Sequence, residues 1–143
     1  MPFELLVVED NPMDVEFVKE ALDAWETPVH VSVVENGDEA LHFLRRTGSH
    51  QSAPYPNLIL LDLNLPRKSG MAVLEEIKKD DGLARIPVIV LTTSDRETDV
   101  RKAYALHANC YLTKPLEISD FIAKIKAIEY FWLQHARLPR NSF

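Results

Sequence analysis

The sequence predicts a doubly wound α/β fold, a central five-stranded parallel sheet with helices on both faces. Two observations carry that prediction. Short apolar runs alternate with segments of helical periodicity, strand then helix, five times over. Two of the runs, Leu58–Leu61 (LILL) and Pro87–Leu91 (PVIVL), are apolar at nearly every position rather than at every second one. Strands buried on both faces read that way.

Phe3 to Glu9 (FELLVVE) is the first strand. Val15, Val18, Ala21, Leu22 and Trp25 then recur at helical spacing. Asn11 is placed to cap this helix, Pro12 suits its first position, and Asp14 suits the positive end of its dipole. Val29, Val31 and Val33 alternate as a second strand, which ends at Asn36-Gly37. Ala40, Leu41, Phe43 and Leu44 mark the second helix, and TGSHQSAPY (Thr47 to Tyr55) is a polar loop. After the third strand, Val73, Leu74 and Ile77 mark a helix that follows Gly70. After the fourth, Ser94 and Glu97 form an S-x-x-E sequence, which predicts a capping box. Cys110 to Leu112 is a short fifth strand; Ile118, Phe121, Ile122 and Ile125 give the fifth helix.

The chain of 143 residues suits one domain, with a core over about 3–133 and a tail over about 134–143 near LPRNSF, too short for an output or DNA-binding module. A net charge of −6 and a pI of about 5.3 argue against non-specific nucleic-acid binding. The single cysteine, Cys110, has no internal partner, and the N-terminus lacks the basic and apolar regions of a signal peptide. No apolar run approaches the ~20 residues of a membrane span. A cytoplasmic protein is expected.

The run NLILLDLNLP places Asp62 at the end of an apolar strand. In open α/β sheets ligands bind beyond the carboxyl ends of the strands. Glu9 and Asp10 end the first strand, Thr92 and Thr93 the fourth, and Lys114 the fifth. Three carboxylates at one edge repel one another unless a cation compensates. Mg2+ takes one or two carboxylates together with phosphate oxygens. The lysine and a threonine hydroxyl can donate to the same oxygens. The edge is fit to place a phosphoryl group on a carboxylate.

VVEDNP, LILLDLNLP with Gly70 after it, VIVLTTS and YLTKP together resemble the receiver domain of two-component response regulators, a flavodoxin-like (βα)5 fold of the CheY type. The resemblance implies a role for each matching residue. Asp62 is the phosphorylation site. Asp10 and Glu9 hold Mg2+, Asp10 directly and Glu9 through water, and the Asn64 backbone carbonyl completes the metal site. Thr92 is the switch hydroxyl, Lys114 contacts the phosphoryl group, and Tyr111 is the switch aromatic. Pro115 would follow a cis peptide. ENGDEALHFLRR, ARIPVIVLTTS, LHANCYLTKP and IEYFWL are further similar to single-domain regulators that partner phytochrome histidine kinases. That implies a bacteriophytochrome or cyanobacterial-type phytochrome as the sensor kinase.

Taken singly, these residues have ordinary readings. Glu9-Asp10 could be helix-start acidity, and Tyr111 a half-buried strand tyrosine. A phosphorylation-independent scaffold on the same fold remains the alternative, although a scaffold has no need of the acid, lysine and threonine set. A flavodoxin-like electron carrier would need a Ser/Thr/Gly-rich phosphate loop where the chain has EDNP. Tyr130-Phe131-Trp132 cannot all face one side of a helix. The exposed part points to a homodimer surface, and the competing reading is a longer fifth helix covered by the tail.

Overall fold

A computed structural model describes residues 2–139; Arg140 to Phe143, the end of the predicted tail, lie outside the described residues. The five strands are β1 (Phe3–Val8), β2 (Val29–Val34), β3 (Leu58–Leu61), β4 (Val88–Thr92) and β5 (Cys110–Thr113). They form one parallel sheet in the order β2-β1-β3-β4-β5. The helices are α1 (Pro12–Asp23), α2 (Gly37–Arg45), α3 (Gly70–Lys79), α4 (Glu97–Ala105) and α5 (Ile118–Ile128). β1 lies between β2 and β3, so the winding reverses across the β1–β3 pair. Such a reversal opens a crevice at the carboxyl ends of the two strands.

The apolar runs divide between two cores with the period of two that a pleated strand imposes. Leu6, Val8, Ile59, Leu61, Val88 and Val90 face α2 and α3, meeting Leu41, Leu44, Val73, Leu74 and Ile77. Leu5, Val7, Leu58, Leu60, Ile89 and Leu91 face α1 and α5, meeting Val18, Leu22, Phe121 and Ile125. Every residue of β3 and β4 is buried, as their unbroken hydrophobicity predicts. Cys110 packs as a small hydrophobe on the α1–α5 side.

Of the two predicted helix starts the structure bears out one, Asn11, and it adds side-chain caps at α2 and α3. Asn11 Oδ1 accepts from the Met13 and Asp14 amides, with Pro12 as the first helical residue. Asn36 Oδ1 accepts from the Glu39 amide, and Ser69 Oγ from Ala72. The Ser94–Glu97 capping box does not form. α4 begins at Glu97 behind Arg96, and Ser94 Oγ donates instead to Asp99 Oδ2 at 2.5 Å. The N-cap of α4 is Arg96, so Ser94 stands two residues too early for the box; its oxygen accepts from the Arg96 amide at 3.4 Å while its proton serves Asp99.

Beyond α5 the chain continues as a π-helical run, Glu129–His135, which splits the aromatic triplet. Trp132 packs against the α1–α5 core, while Tyr130 and Phe131 stay 60% and 55% exposed. The run is anchored by Glu129, a fully buried carboxylate. Its Oε2 accepts from the Thr27 amide at 2.8 Å and its Oε1 from Lys126 Nζ at 2.7 Å. Burial pushes this carboxyl's pKa up, but the lysine and the loop amides outweigh it and hold it below the usual range. That contribution is present above the unfolded carboxyl's range and is lost as pH falls through the folded pKa. Glu129→Ala leaves the Thr27 amide unpaired and is expected to destabilise the fold by about 2 kcal/mol. The urea midpoint should fall at constant m-value. An unchanged midpoint would show that the loop before β2 does not depend on this carboxylate.

Candidate functional site

The carboxyl ends of β1, β3, β4 and β5 converge at the β1–β3 switch point, and each contributes one polar side chain that is buried there. Glu9, Asp62, Thr92 and Lys114 are the buried polar residues of this edge. Each directly follows or ends a strand of the sheet, so the sheet itself fixes their positions.

Asp62 is held from two sides. Its Oδ1 accepts from Thr92 Oγ1 at 2.9 Å and from the Asn64 amide at 3.0 Å. Its Oδ2 accepts from Lys114 Nζ at 2.8 Å. Lys114 Nζ also donates to Glu9 Oε1 and, at 2.8 Å, to Asp14 Oδ2. Glu9 Oε2 accepts from the Asn11 amide at 3.2 Å, which fixes the carboxylate at the start of α1. Tyr111 lies beside this cluster, and its hydroxyl donates to the Ser94 carbonyl at 2.8 Å. Asn64 and Ser94 line an open cleft of about 570 Å³ together with Thr93, Asp95, Arg96 and Asp99.

The charges at the site displace one another's titration. Burial raises the Asp62 pKa, yet the Lys114 hydrogen bond and the Asn64 amide more than reverse this, and the carboxyl sits below its ordinary value. Burial lowers the Lys114 pKa, but bonds to Asp14, Asp62 and Glu9 carry it above the usual lysine value. Glu9 moves the other way. Burial lifts its carboxyl to about 7; the Lys114 bond opposes this and the Asp62 charge adds to it. One ammonium cannot neutralise three carboxylates, and Glu9 is the one that keeps its proton to higher pH.

A carboxylate oxygen each from Glu9, Asp10 and Asp62 lies within 4.8 Å of the other two. Three hard oxygens at that spacing fit one small divalent cation. Asp10 is exposed at the mouth of the crevice, while Glu9 and Asp62 form its floor.

The structure therefore brings together Glu9, Asp10, Asp62, Thr92 and Lys114, with Asn64 beside them. One expectation is overturned. There is no cis peptide among the described residues, so Lys114–Pro115 is trans. Trans is the lower-energy form even before proline, and from it the Lys114 side chain reaches all three carboxylates. The sequence reading also missed Asp14 as a site residue. Its place in the first turn of α1, close behind the acidic pair Glu9-Asp10, was the available signal.

Three carboxylates at the spacing of a divalent cation, and an aspartate held by a lysine and a threonine, thus lie together at the switch point of a five-stranded parallel sheet. Residues 5–126 match the family described as "Response regulator receiver domain", and the chain belongs to that family. It is 46% identical over 138 residues to the response regulator Rcp1 of Synechocystis sp., covering 96% of this chain and 94% of that one. The phosphorylated cyanobacterial phytochrome response regulator RcpA superposes with a TM-score of 0.95 at 46% identity, covering 98% of this chain and 100% of that one. The Mn2+-bound form of Rcp1 superposes with a TM-score of 0.93 at 45% identity, covering 97% and 100%. The fold is thus the CheY-like, flavodoxin-like receiver fold, and the protein is a response regulator of two-component signalling. No helix among the described residues is long and apolar enough to cross a membrane.

Proposed function

We propose that this protein accepts a phosphoryl group on Asp62 from the phosphohistidine of a sensor kinase of the phytochrome type. The single observation that carries the reading is the placement of Asp62, whose two oxygens meet Thr92, the Asn64 amide and Lys114 beside Glu9 and Asp10. An Asp62 carboxylate oxygen forms the new P–O bond as the P–N bond to the donor imidazole breaks. Lys114 and Thr92, which already touch Asp62, then donate to the phosphoryl oxygens. Mg2+ held by Glu9, Asp10, Asp62 and the Asn64 carbonyl supplies positive charge against those same oxygens. Thr92 leaves Asp62 Oδ1 to reach the phosphoryl group and frees space for Tyr111, which packs on the α2–α3 core. The α4–β5–α5 face changes with them, so that a local charge change biases a two-state surface. The kinase class is suggested by the phytochrome response regulators among the relatives, and the setting is the cytoplasm. The protein also phosphorylates itself from small phosphodonors and removes the group by its own hydrolysis, without being a metabolic enzyme.

The test is intact mass after incubation with acetyl phosphate and Mg2+. Wild type is expected to gain one phosphoryl group, and Asp62→Asn or added chelator should abolish the gain. No gain in wild type, from acetyl phosphate or from a phosphorylated phytochrome kinase, would favour the scaffold reading. The exposed Tyr130 and Phe131 support a homodimer through the C-terminal helical region. Sedimentation at micromolar concentration should show a dimer, and a strict monomer both free and phosphorylated would rule it out.

A further inference from the structure

We propose that Asp14 is a positioning residue for Lys114, taking one of its three N–H bonds so that only two fall on the carboxylates that face the metal. This rests on the reading that Glu9, Asp10 and Asp62 hold a divalent cation. An ammonium has three N–H donors. All three are engaged, by Glu9, Asp62 and Asp14. Two of these acceptors belong to the cation cluster, so the lysine and a metal share the same carboxylates. Asp14 does not belong to it. Its side chain is 20% exposed, against 5% for Glu9 and 7% for Asp62, so the third N–H is directed to the acceptor nearest solvent.

The local structure fixes Asp14 for this task. Asn11 Oδ1 accepts from the Asp14 amide and Pro12 sets the first turn, so the carboxylate is carried on the capped end of α1 rather than on a loop. Without Asp14, the third N–H has Glu9 and Asp62 as its nearest anions. The ammonium then closes over the oxygens a metal must take. In the phosphorylated protein the same contact keeps a carboxylate on Lys114 while its other bonds pass to the phosphoryl group.

The experiment titrates the protein with Mg2+ alone by calorimetry, and with Mn2+ by electron paramagnetic resonance, without a phosphodonor. Asp14→Asn is expected to weaken metal binding about tenfold, the low end of the range for partners of metal ligands. Asp95→Asn is the control. It removes one exposed charge lining the neighbouring cleft, has no bond to Lys114, and should shift affinity far less. Asp14→Glu, whose carboxylate still reaches the ammonium, should restore most of the affinity. In a Lys114→Met background most of the Asp14→Asn loss should vanish, because no ammonium remains to be held. Equal losses for Asp14→Asn and Asp95→Asn, or the same Asp14→Asn loss with and without Lys114, would overturn the inference and leave Asp14 as one more negative charge. The Asp14→Asn and Asp95→Asn comparison decides the matter even if Lys114→Met fails to fold. Failure of wild type itself to bind either metal would overturn the cation site, and this inference with it.

Discussion

Gly70→Ala is expected to destabilise the protein by about 3 kcal/mol, the upper part of the overpacking range, and to slow phosphorylation of Asp62 at least tenfold. Gly70 opens α3, and its amide donates to the Leu63 carbonyl at 3.0 Å. A Cβ there would lie 2.2 Å from the Asp62 carbonyl oxygen and 2.6 Å from the Leu63 Cα. Both obstacles are backbone, and both belong to the turn that carries the phosphoacceptor. No rotamer change relieves the contact. Either α3 moves off the sheet, opening the packing of Val73, Leu74 and Ile77, or the turn after β3 moves and takes Asp62 with it. The second response displaces Asp62 from Lys114 and Thr92, and a misplacement on the order of 1 Å can reduce a rate by about a hundredfold. A fallen urea midpoint together with a slower gain of mass from acetyl phosphate would show both effects. Wild-type values for both would mean that α3 does not approach the Asp62 turn this closely. The glycine is needed for close approach of two backbones, not for a left-handed turn.

This position shows where sequence reasoning reached and where it stopped. β3 was legible to the residue, because a strand buried on both faces is apolar throughout and ends abruptly at Asp62. The edge that gathers Glu9, Asp10, Asp62, Thr92 and Lys114 followed from strand order alone, since parallel strands place all their carboxyl ends together. Asn11 was legible as a cap because capping is decided within three residues. Ser94 was misread for the complementary reason. Its S-x-x-E spacing is local, but the box needs Ser94 at the N-cap, and α4 starts two residues later, behind Arg96. Glu129 resembled a surface acid in a helix; its loop partner Thr27 is 102 residues away in sequence. Asp14 was visible as a helix-start acid, but its bond to Lys114 joins residues 100 apart and depends on how α1 packs against α5. Contacts of that kind become visible only when the helices are in place.

The apo protein is expected to lose stability as pH rises from about 4.5 to about 7, and Mg2+ should remove that loss. The displaced group in this window is Glu9, whose carboxyl is carried by burial from its usual 4.5 to about 7. Between those values the native protein holds a proton on Glu9 that the unfolded chain has released. Where the native state binds more protons, stability falls with pH. The stabilisation is fully present below the unfolded value and is gone above the folded one. A displacement of this size corresponds to a fall on the order of 3 kcal/mol. Asp62 and Glu129, both held below their usual values, titrate on the acid side and leave the window to Glu9. A cation among Glu9, Asp10 and Asp62 requires the ionised carboxylates, so the stability added by saturating Mg2+ should grow over the same interval. Urea midpoints at pH 5, 6 and 7, with and without Mg2+, measure both slopes. Glu9→Gln should flatten the apo slope and reduce the Mg2+ increment at pH 7. If wild type and Glu9→Gln fall equally with pH, the strain lies elsewhere than in the buried carboxylate that the metal would relieve.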